Sequence, residues 1–354
     1  MTVPNVANAP LLQVENIYKY YGRRTGWLDR ARGKTRTQLV ALDGVSLTLR
    51  ANEVLGLVGE SGSGKTTTAR CIVRLEQPDR GEIRFDERDV LAADAASLRH
   101  IRRDMQMIYQ DPYSSLNPYM SIGAAISEPA RVHGLIDAAG VDTLVPDLLR
   151  RVGLPPTVAN MRPRALSGGQ RQRVAIARAL ALEPRVIIAD EAVSALDVSI
   201  QAQILNLFSD LVRDLGLGMI FIAHQLSVIA QLSDRVAIMY LGRIVETGPT
   251  SEVFRNPRHP YTHALLQAHP HVEAEKRRDP ALTGEIPSPY AIPVGCRFNT
   301  RCPFAEPRCF QDDPPALEVG PGHLAACHVL PAFTQEATAL RSPSLEVQKP
   351  GNLL

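Results

Sequence analysis

The stretch Val54-Leu55-Gly56-Leu57-Val58-Gly59-Glu60-Ser61-Gly62-Ser63-Gly64-Lys65-Thr66 decides the fold. Its first residues form an unbroken apolar run, which suits a strand buried on both faces. The rest reads GESGSGKT and satisfies G-x-x-x-x-G-K-[ST], a phosphate-binding loop. Residues 67–75 then read as the first turns of a helix. Strand, glycine loop and helix together are the context that the motif requires. Glycines let backbone N–H groups turn toward an anion, and the helix N-terminus adds partial positive charge. Lys65 is placed to reach the β- and γ-phosphates, and the Thr66 hydroxyl to ligate Mg2+. A nucleoside triphosphate site over Gly59, Ser61, Gly62, Ser63, Gly64, Lys65, Thr66 and Thr67 is expected.

Outward from the loop, the same grammar recurs. Val186-Ile187-Ile188-Ala189 is a second buried-strand pattern, closed by Asp190 and Glu191. After a phosphate loop, such a pair is placed to hold Mg2+ (Asp190, through water) and to polarise an attacking water (Glu191). Met219 to Ala223 is a third apolar strand and ends at His224, read here as a γ-phosphate contact rather than a core histidine. Leu166-Ser167-Gly168-Gly169-Gln170 opens a helix rich in Ala, Arg and Gln that runs to Leu182. That is a second helix start receptive to an anion. One chain cannot easily wrap a single nucleotide with both loops. A head-to-tail dimer is expected, with LSGGQ of one subunit covering the γ-phosphate held by the other.

The remaining composition narrows the class. At 354 residues there is room for one large domain with an appendage, or for two domains. A hydrophobic share of 45% and a charged share of 21% are ordinary for a globular protein. A net charge of +2 argues against a dedicated nucleic-acid binder. No window approaches eighteen consecutive apolar residues, and the N-terminus lacks a secretory pattern, so a cytosolic protein is expected. The basic run from Arg23 to Arg36, with Trp27 inside it, reads as a solvated hairpin loop or as a contact for anionic headgroups.

Organisation along the chain is expected to be α/β. Residues 1–10 form a leader, 11–255 a nucleotide-binding domain with a helical subdomain at about 112–182, 256–330 an extension, and 331–354 a disordered tail. Cys296, Cys302, Cys309 and Cys327 crowd into that proline-rich extension. In a cytosolic protein, four such thiols suggest a metal centre more than disulfides. The absence of a tight C-x₂₋₄-C pair disfavours Zn2+, and the wide spacing suits an iron–sulfur cluster held by Cys₄. Cys71, after the phosphate loop, reads as a packed core thiol.

GESGSGKT, Gln110, LSGGQ, IIADE, Ser194-Ala195-Leu196-Asp197 and His224 occur in the order of an ABC transporter ATPase, and the resemblance covers residues 11 to about 250. It implies a P-loop NTPase with a RecA-like core, an antiparallel β subdomain and an inserted α-helical subdomain. It also implies that Tyr21 stacks on adenine, that Gln110 is the Q-loop residue contacting Mg2+ and water, and that Ala195 to Asp197 form the D-loop. MIYQDPYSSLNP (Met107 to Pro118), ALDVSIQAQILNLF, NPRHPYT and GEIPSP resemble the ATP-binding subunits of oligopeptide/dipeptide permeases, and SALDVSIQAQ their F-type member. That resemblance implies an ATPase at the cytoplasmic face of the membrane, peripheral to it. Implied partners are a paralogous ATPase, two transmembrane permease subunits and an extracytoplasmic solute-binding protein; the implied cargo is di- or oligopeptides or related small solutes. Related subunits carry a four-iron cluster, which makes 4Fe-4S the expected centre on the four cysteines, with Zn2+ as the alternative.

Ala192 stands where this family usually has proline, Gln225 where aspartate is usual, and Arg164-Ala165 where a His-acidic pair is common. None of these removes a catalytic group. A soluble ABC ATPase of DNA repair or translation would show a coiled-coil insertion or tandem nucleotide domains, and neither is visible. A redox-sensing subunit with a vestigial site would not keep Lys65, Asp190, Glu191 and His224.

Overall fold

Strand β3 (Val54–Val58) lies inside an eight-stranded sheet. The computed structural model describes residues 9–22, 38–111, 116–268 and 284–330. The Trp27 basic run, Pro112 to Ser115 and residues 331–354 therefore lie outside the described residues. β3 pairs in parallel with β8 (Gly218–Ala223) on one side and β9 (Arg235–Tyr240) on the other. β7 (Val186–Asp190) follows β8 and β6 (Met105–Ile108) follows β7, both in parallel. Neighbouring residues of these strands feed opposite cores. Val54, Val58, Ile187, Ala189, Met219 and Phe221 join the core that contains the helical subdomain. Leu55, Leu57, Val186, Ile188, Ile220 and Ile222 join the other. Burial on both faces is why these strands read as continuous apolar runs rather than alternating ones.

The second core is capped by a four-stranded antiparallel sheet in the order β2-β1-β4-β5. It comprises β1 (Leu12–Tyr21), β2 (Leu39–Leu49), β4 (Arg80–Phe85) and the two-residue β5 (Arg88–Asp89). Leu12, Ile17, Leu42, Leu49, Ile83 and Phe85 point from it into that core. Helix α1 (Lys65–Ile72) follows the phosphate loop, and α2 (Ala95–Asp104) starts at Asp94, whose side chain accepts from Ser97 N. The sequence reading passed over α2, although Asp94 is a good N-cap.

The inserted helical region holds α3 (Ile122–Val132), capped by Ser121, α4 (Val141–Arg151) and two 3-10 turns. α5 (Gly168–Leu180) returns the chain to the sheet, and α6 (Val198–Leu215) ends at Gly216 with φ +70°. Only glycine takes that left-handed C-cap without strain. α7 (Leu226–Leu232), β10 (Arg243–Pro249) and α8 (Thr250–Arg255) complete this part.

The extension does not form a layer of its own. After α9 (Pro260–Gln267), a hairpin of β11 (Ala316–Gly320) and β12 (His323–Ala326) adds to the core sheet, with β12 antiparallel to β10. Cys296, Phe298, Cys309, Cys327 and Val329 pack into the same core as the helical subdomain. The expected break near residue 256 is a change in composition; the sheet runs across it.

Candidate active site

The phosphate loop is shaped by what its glycines touch. A Cβ on Gly59 would stand 2.1 Å from the Met239 carbonyl oxygen, and one on Gly64 would stand 2.6 Å from that of Ala41. Gly64 also caps α1 at φ +107°. Both positions exclude a side chain on steric grounds. Lys65 is 5% exposed, and its Nζ donates to the carbonyls of Gly59 (2.7 Å) and Glu60 (3.0 Å). Burial pushes the Lys65 ammonium below its usual range, while Glu191, Asp190 and Glu60 pull it back up.

The second strand end meets the loop directly. Thr66 Oγ1 donates to Asp190 Oδ1 at 3.1 Å, so the hydroxyl and carboxylate expected around Mg2+ already face each other. Burial pushes the Asp190 carboxyl up; the Thr66 hydrogen bond opposes this and the neighbouring Glu191 reinforces it. A divalent cation would relieve that penalty, so the donor pair fits Mg2+.

Glu191 is where three strand ends converge. Gln110 Nε2, just past β6, donates to Glu191 Oε2 at 2.7 Å. His224 Nδ1, just past β8, stands 3.8 Å from the same oxygen. Glu191 itself has φ +50°, a left-handed conformation unusual for a residue with a side chain. Its backbone N–H donates to Ile222 O (3.0 Å) and its carbonyl accepts from Ser194 Oγ (2.9 Å), which holds the turn. Gln225 accepts from Gln201 Nε2 at 3.1 Å, so the residue in place of the usual aspartate is tied to α6.

Tyr21 and Tyr20 are separated by the pleat. Burial pushes the Tyr21 hydroxyl up, and the Thr67 side chain, at the start of α1, acts on it in the opposite sense. Tyr20 instead lies among Asp43, Asp79 and Arg80 and near the Tyr18 ring. Of the pair, Tyr21 is the one beside the phosphate loop.

Ser167, Gly168, Gly169 and Gln170 occupy a different place. Ser167 Oγ accepts from Gln170 N (3.3 Å), and Gln170 Oε1 accepts from Ser167 N (2.9 Å), closing a capping box on α5. A Cβ on Gly169 would meet Ile200 Cγ2 at 2.5 Å, and one on Gly168 would meet Leu196 at 3.6 Å. This helix start therefore rests on the segment around Asp197, the N-cap of α6, with Ser167 exposed.

The cysteine expectation needs correcting. Cys296, Cys302, Cys309 and Cys327 are free thiols, as is the buried Cys71. Among the described residues, no group of three or more His, Cys, Asp or Glu is set to hold a metal ion. Neither the expected 4Fe-4S centre nor the Zn2+ alternative finds a preformed ion site among the described residues. Burial pushes Cys302 up to about 11 and Cys327 up to about 12, as protonated thiols in an apolar setting require.

Contacts that sequence reasoning missed surround Glu60. Its carboxylate pairs with Arg301 and its N–H donates to Tyr261 Oη. A separation in sequence of 241 residues for the first contact and 201 for the second leaves no local signal.

Comparison with known proteins agrees with this geometry. A family model described as ABC transporter matches residues 42–194, and one described as Oligopeptide/dipeptide transporter, C-terminal region, matches residues 245–309. The chain is 48% identical over 321 residues to the "Probable peptide ABC transporter ATP-binding protein y4tS" of Sinorhizobium fredii, covering 90% of each chain. It is 45% identical to the "Oligopeptide transport ATP-binding protein AppF" of Bacillus subtilis, covering 90% of this chain and 97% of that one. The "Oligopeptide transport ATP-binding protein OppF" of Salmonella typhimurium is 49% identical over 82% of this chain and 87% of its own. Among solved structures, a dimeric ATP-binding cassette in a post-hydrolysis state with ADP and Pi matches with a TM-score of 0.59 at 28% identity. It covers 68% of this chain and 98% of that one. The Clostridium perfringens CbiO1, part of an ABC transporter complex, matches with a TM-score of 0.60 at 26% identity, covering 70% and 91%.

Proposed function

The chain belongs to the ABC transporter ATP-binding proteins of the oligopeptide/dipeptide type, and from that premise we propose how its residues drive peptide uptake. It is an ATPase coupled to transport. The cargo, di- or oligopeptides, follows from the names of the relatives and from the C-terminal region shared with them.

Convergence of Gln110 and His224 on one oxygen of Glu191 is the observation that carries the mechanism. Gln110 fixes that carboxylate, leaving its other oxygen to accept a proton from the attacking water. Lys65 exchanges its loop carbonyls for the β- and γ-phosphate oxygens. Thr66 and Asp190 would hold Mg2+, which would supply charge neutralisation to the phosphates. His224 lies close enough to follow the γ-phosphate, and Tyr21 offers its ring to the base. Ser167 is exposed at the start of its helix, which supports a nucleotide shared between two subunits, one a paralogue of this chain.

Among the described residues no helix is long and apolar enough to cross a membrane. Attachment is proposed through a cleft of about 360 Å³ between α3, α5 and β6, lined by Leu75, Met107, Tyr109 and His133. It would seat a helix of a membrane subunit at the cytoplasmic face, next to Gln110.

Glu191→Gln tests this reading. Turnover is expected to fall ~10²–10⁴-fold, with Mg-ATP retained in a stable dimer. Unchanged phosphate release would overturn the assignment.

A narrower proposal is a four-iron, four-sulfur cluster on Cys296, Cys302, Cys309 and Cys327. Support comes from the four thiols packing into one part of the core, Cys302 against the cluster that holds Cys296, Cys309 and Cys327. A four-iron cube spreads its thiolates more widely than a single ion does. Anaerobic purification with iron and sulfide analysis is expected to give ~4 of each per chain; metal-free protein would end the proposal.

A further inference from the structure

Glu60 is the second residue of GESGSGKT, and each of its polar groups has a partner. Its N–H donates to Tyr261 Oη at 3.0 Å, and its carbonyl accepts from Lys65 Nζ at 3.0 Å. Its carboxylate accepts from Arg301 Nη1 at 2.7 Å and Nη2 at 3.1 Å, one oxygen each. Two of its partners, Tyr261 and Arg301, come from the extension. Such a two-pronged guanidinium–carboxylate pair fixes orientation as well as charge.

Arg301 is built into its position. Its side chain is 4% exposed, against 21% for Glu60. Its guanidinium carbon lies 5.8 Å from the Tyr240 ring centroid and 5.9 Å from that of Phe298. Those two rings and Tyr261 pack on one another at 4.6 to 5.4 Å between centroids. Arg301 Nη1 also donates to Tyr240 Oη at 3.3 Å. A cation this enclosed needs its carboxylate, because an unpaired buried charge is costly.

The consequence lies in the loop. Glu60 places a carboxylate beside the cradle that must accept phosphate, and it is one of three anions acting on Lys65. Without Arg301, that carboxylate becomes an intramolecular competitor for Lys65. We propose that Arg301 is a positioning residue of the nucleotide site: it neutralises Glu60 and turns it away from Lys65, so that the extension sets the loop's affinity for the triphosphate. The proposal deepens the ATPase reading above and rests on it. Arg301 acts through Glu60 and touches no phosphate itself.

Arg301→Met tests it, because the methionine stem stays between the rings while the fork is lost. Mg-ATP binding, measured by titration calorimetry, is expected to weaken about tenfold, with KM rising more than kcat falls. Adding Glu60→Gln is expected to restore affinity to within about twofold of wild type, since the competing charge is gone. Arg301→Lys, which keeps the charge and loses the fork, falls between. Equal affinity of Arg301→Met and wild type overturns the proposal, as does a double variant that binds as weakly as Arg301→Met. Should Arg301→Met fail to fold, Glu60→Gln alone decides: binding at least as tight as wild type is expected, and weaker binding overturns the proposal. Wild type that binds no Mg-ATP would instead strike the ATPase reading.

Discussion

The centre and one edge of the large sheet are held by different physics. At the centre, β3, β7 and β8 are buried along their whole length, and their chemistry begins where each strand stops. At the edge, β12 and β11 expose Leu324 and Leu317. They are fixed to β10 through a buried polar knot. Glu246, with no side-chain exposure, accepts from Arg258 N (2.7 Å), His259 N (2.9 Å) and His323 Nε2 (2.7 Å). Arg297, also buried, pairs with Asp43 and donates to Leu241 O, tying the cysteine segment to β2. The centre is stabilised by apolar area and carries its charges at a cost; the edge is stabilised by its charges.

The largest expected effect tests the cost at the centre. Burial raises the Asp190 carboxyl, so the folded protein disfavours the charged form more than the unfolded chain does. The charge subtracts from stability above the folded pKa but not below the unfolded one. Asp190→Asn keeps an acceptor for Thr66 and removes the charge. Its melting temperature without Mg2+ is expected to rise, while Mg2+-dependent ATPase falls by at least ~10²-fold. A variant less stable than wild type would mean that the Thr66 bond outweighs desolvation.

Glu246→Ala makes the opposite test at the edge. Three donors, two of them buried and one half-buried, lose their acceptor together, and each unsatisfied group costs ~1–3 kcal/mol. A loss of about 3 kcal/mol in urea unfolding is expected, allowing for partial relaxation. A loss below ~1 kcal/mol would show that ring packing around Phe298, not the polar knot, holds the extension.

This contrast also sets how much could be read from the chain alone. Asp190, Glu191 and His224 were legible because each sits where an apolar run ends, and Lys65 and Thr66 because a glycine motif follows such a run. Tyr21 and Tyr20 could not be separated by pattern; the choice depends on which one reaches Thr67, and that needs the register of β1. The extension was legible through its composition and through NPRHPYT and GEIPSP, but not in its strands. β12 is a four-residue strand, too short for a period, and its pairing of Ala325 with Glu246 depends on a chain return across the cysteine segment. The Arg301 and Tyr261 contacts with Glu60 are equally non-local, and neither Arg nor Tyr in a proline-rich segment announces a partner.

The smallest effect sharpens the comparison by pH. Burial pushes the His259 imidazole down to about 3 from its usual 6.5, so it is neutral in the folded protein. Its Nδ1 accepts from Tyr261 N at 3.1 Å, capping α9 and placing the tyrosine that holds Glu60. The unfolded chain takes up a proton near pH 6.5, and the folded chain does not until about 3. Stability from this group is therefore complete above pH 6.5 and is lost as pH falls, at ~1.4 kcal/mol per unit once the unfolded histidine is protonated. His259→Asn supplies an oxygen where Nδ1 stood and does not titrate. Its stability is expected to fall less than that of wild type between pH 6.5 and 5, with the two converging toward neutral pH apart from a constant offset. Parallel curves would show that the edge opens to water before His259 charges. The extension would then answer acid as a loosely held flap rather than as part of the sheet that positions the phosphate loop.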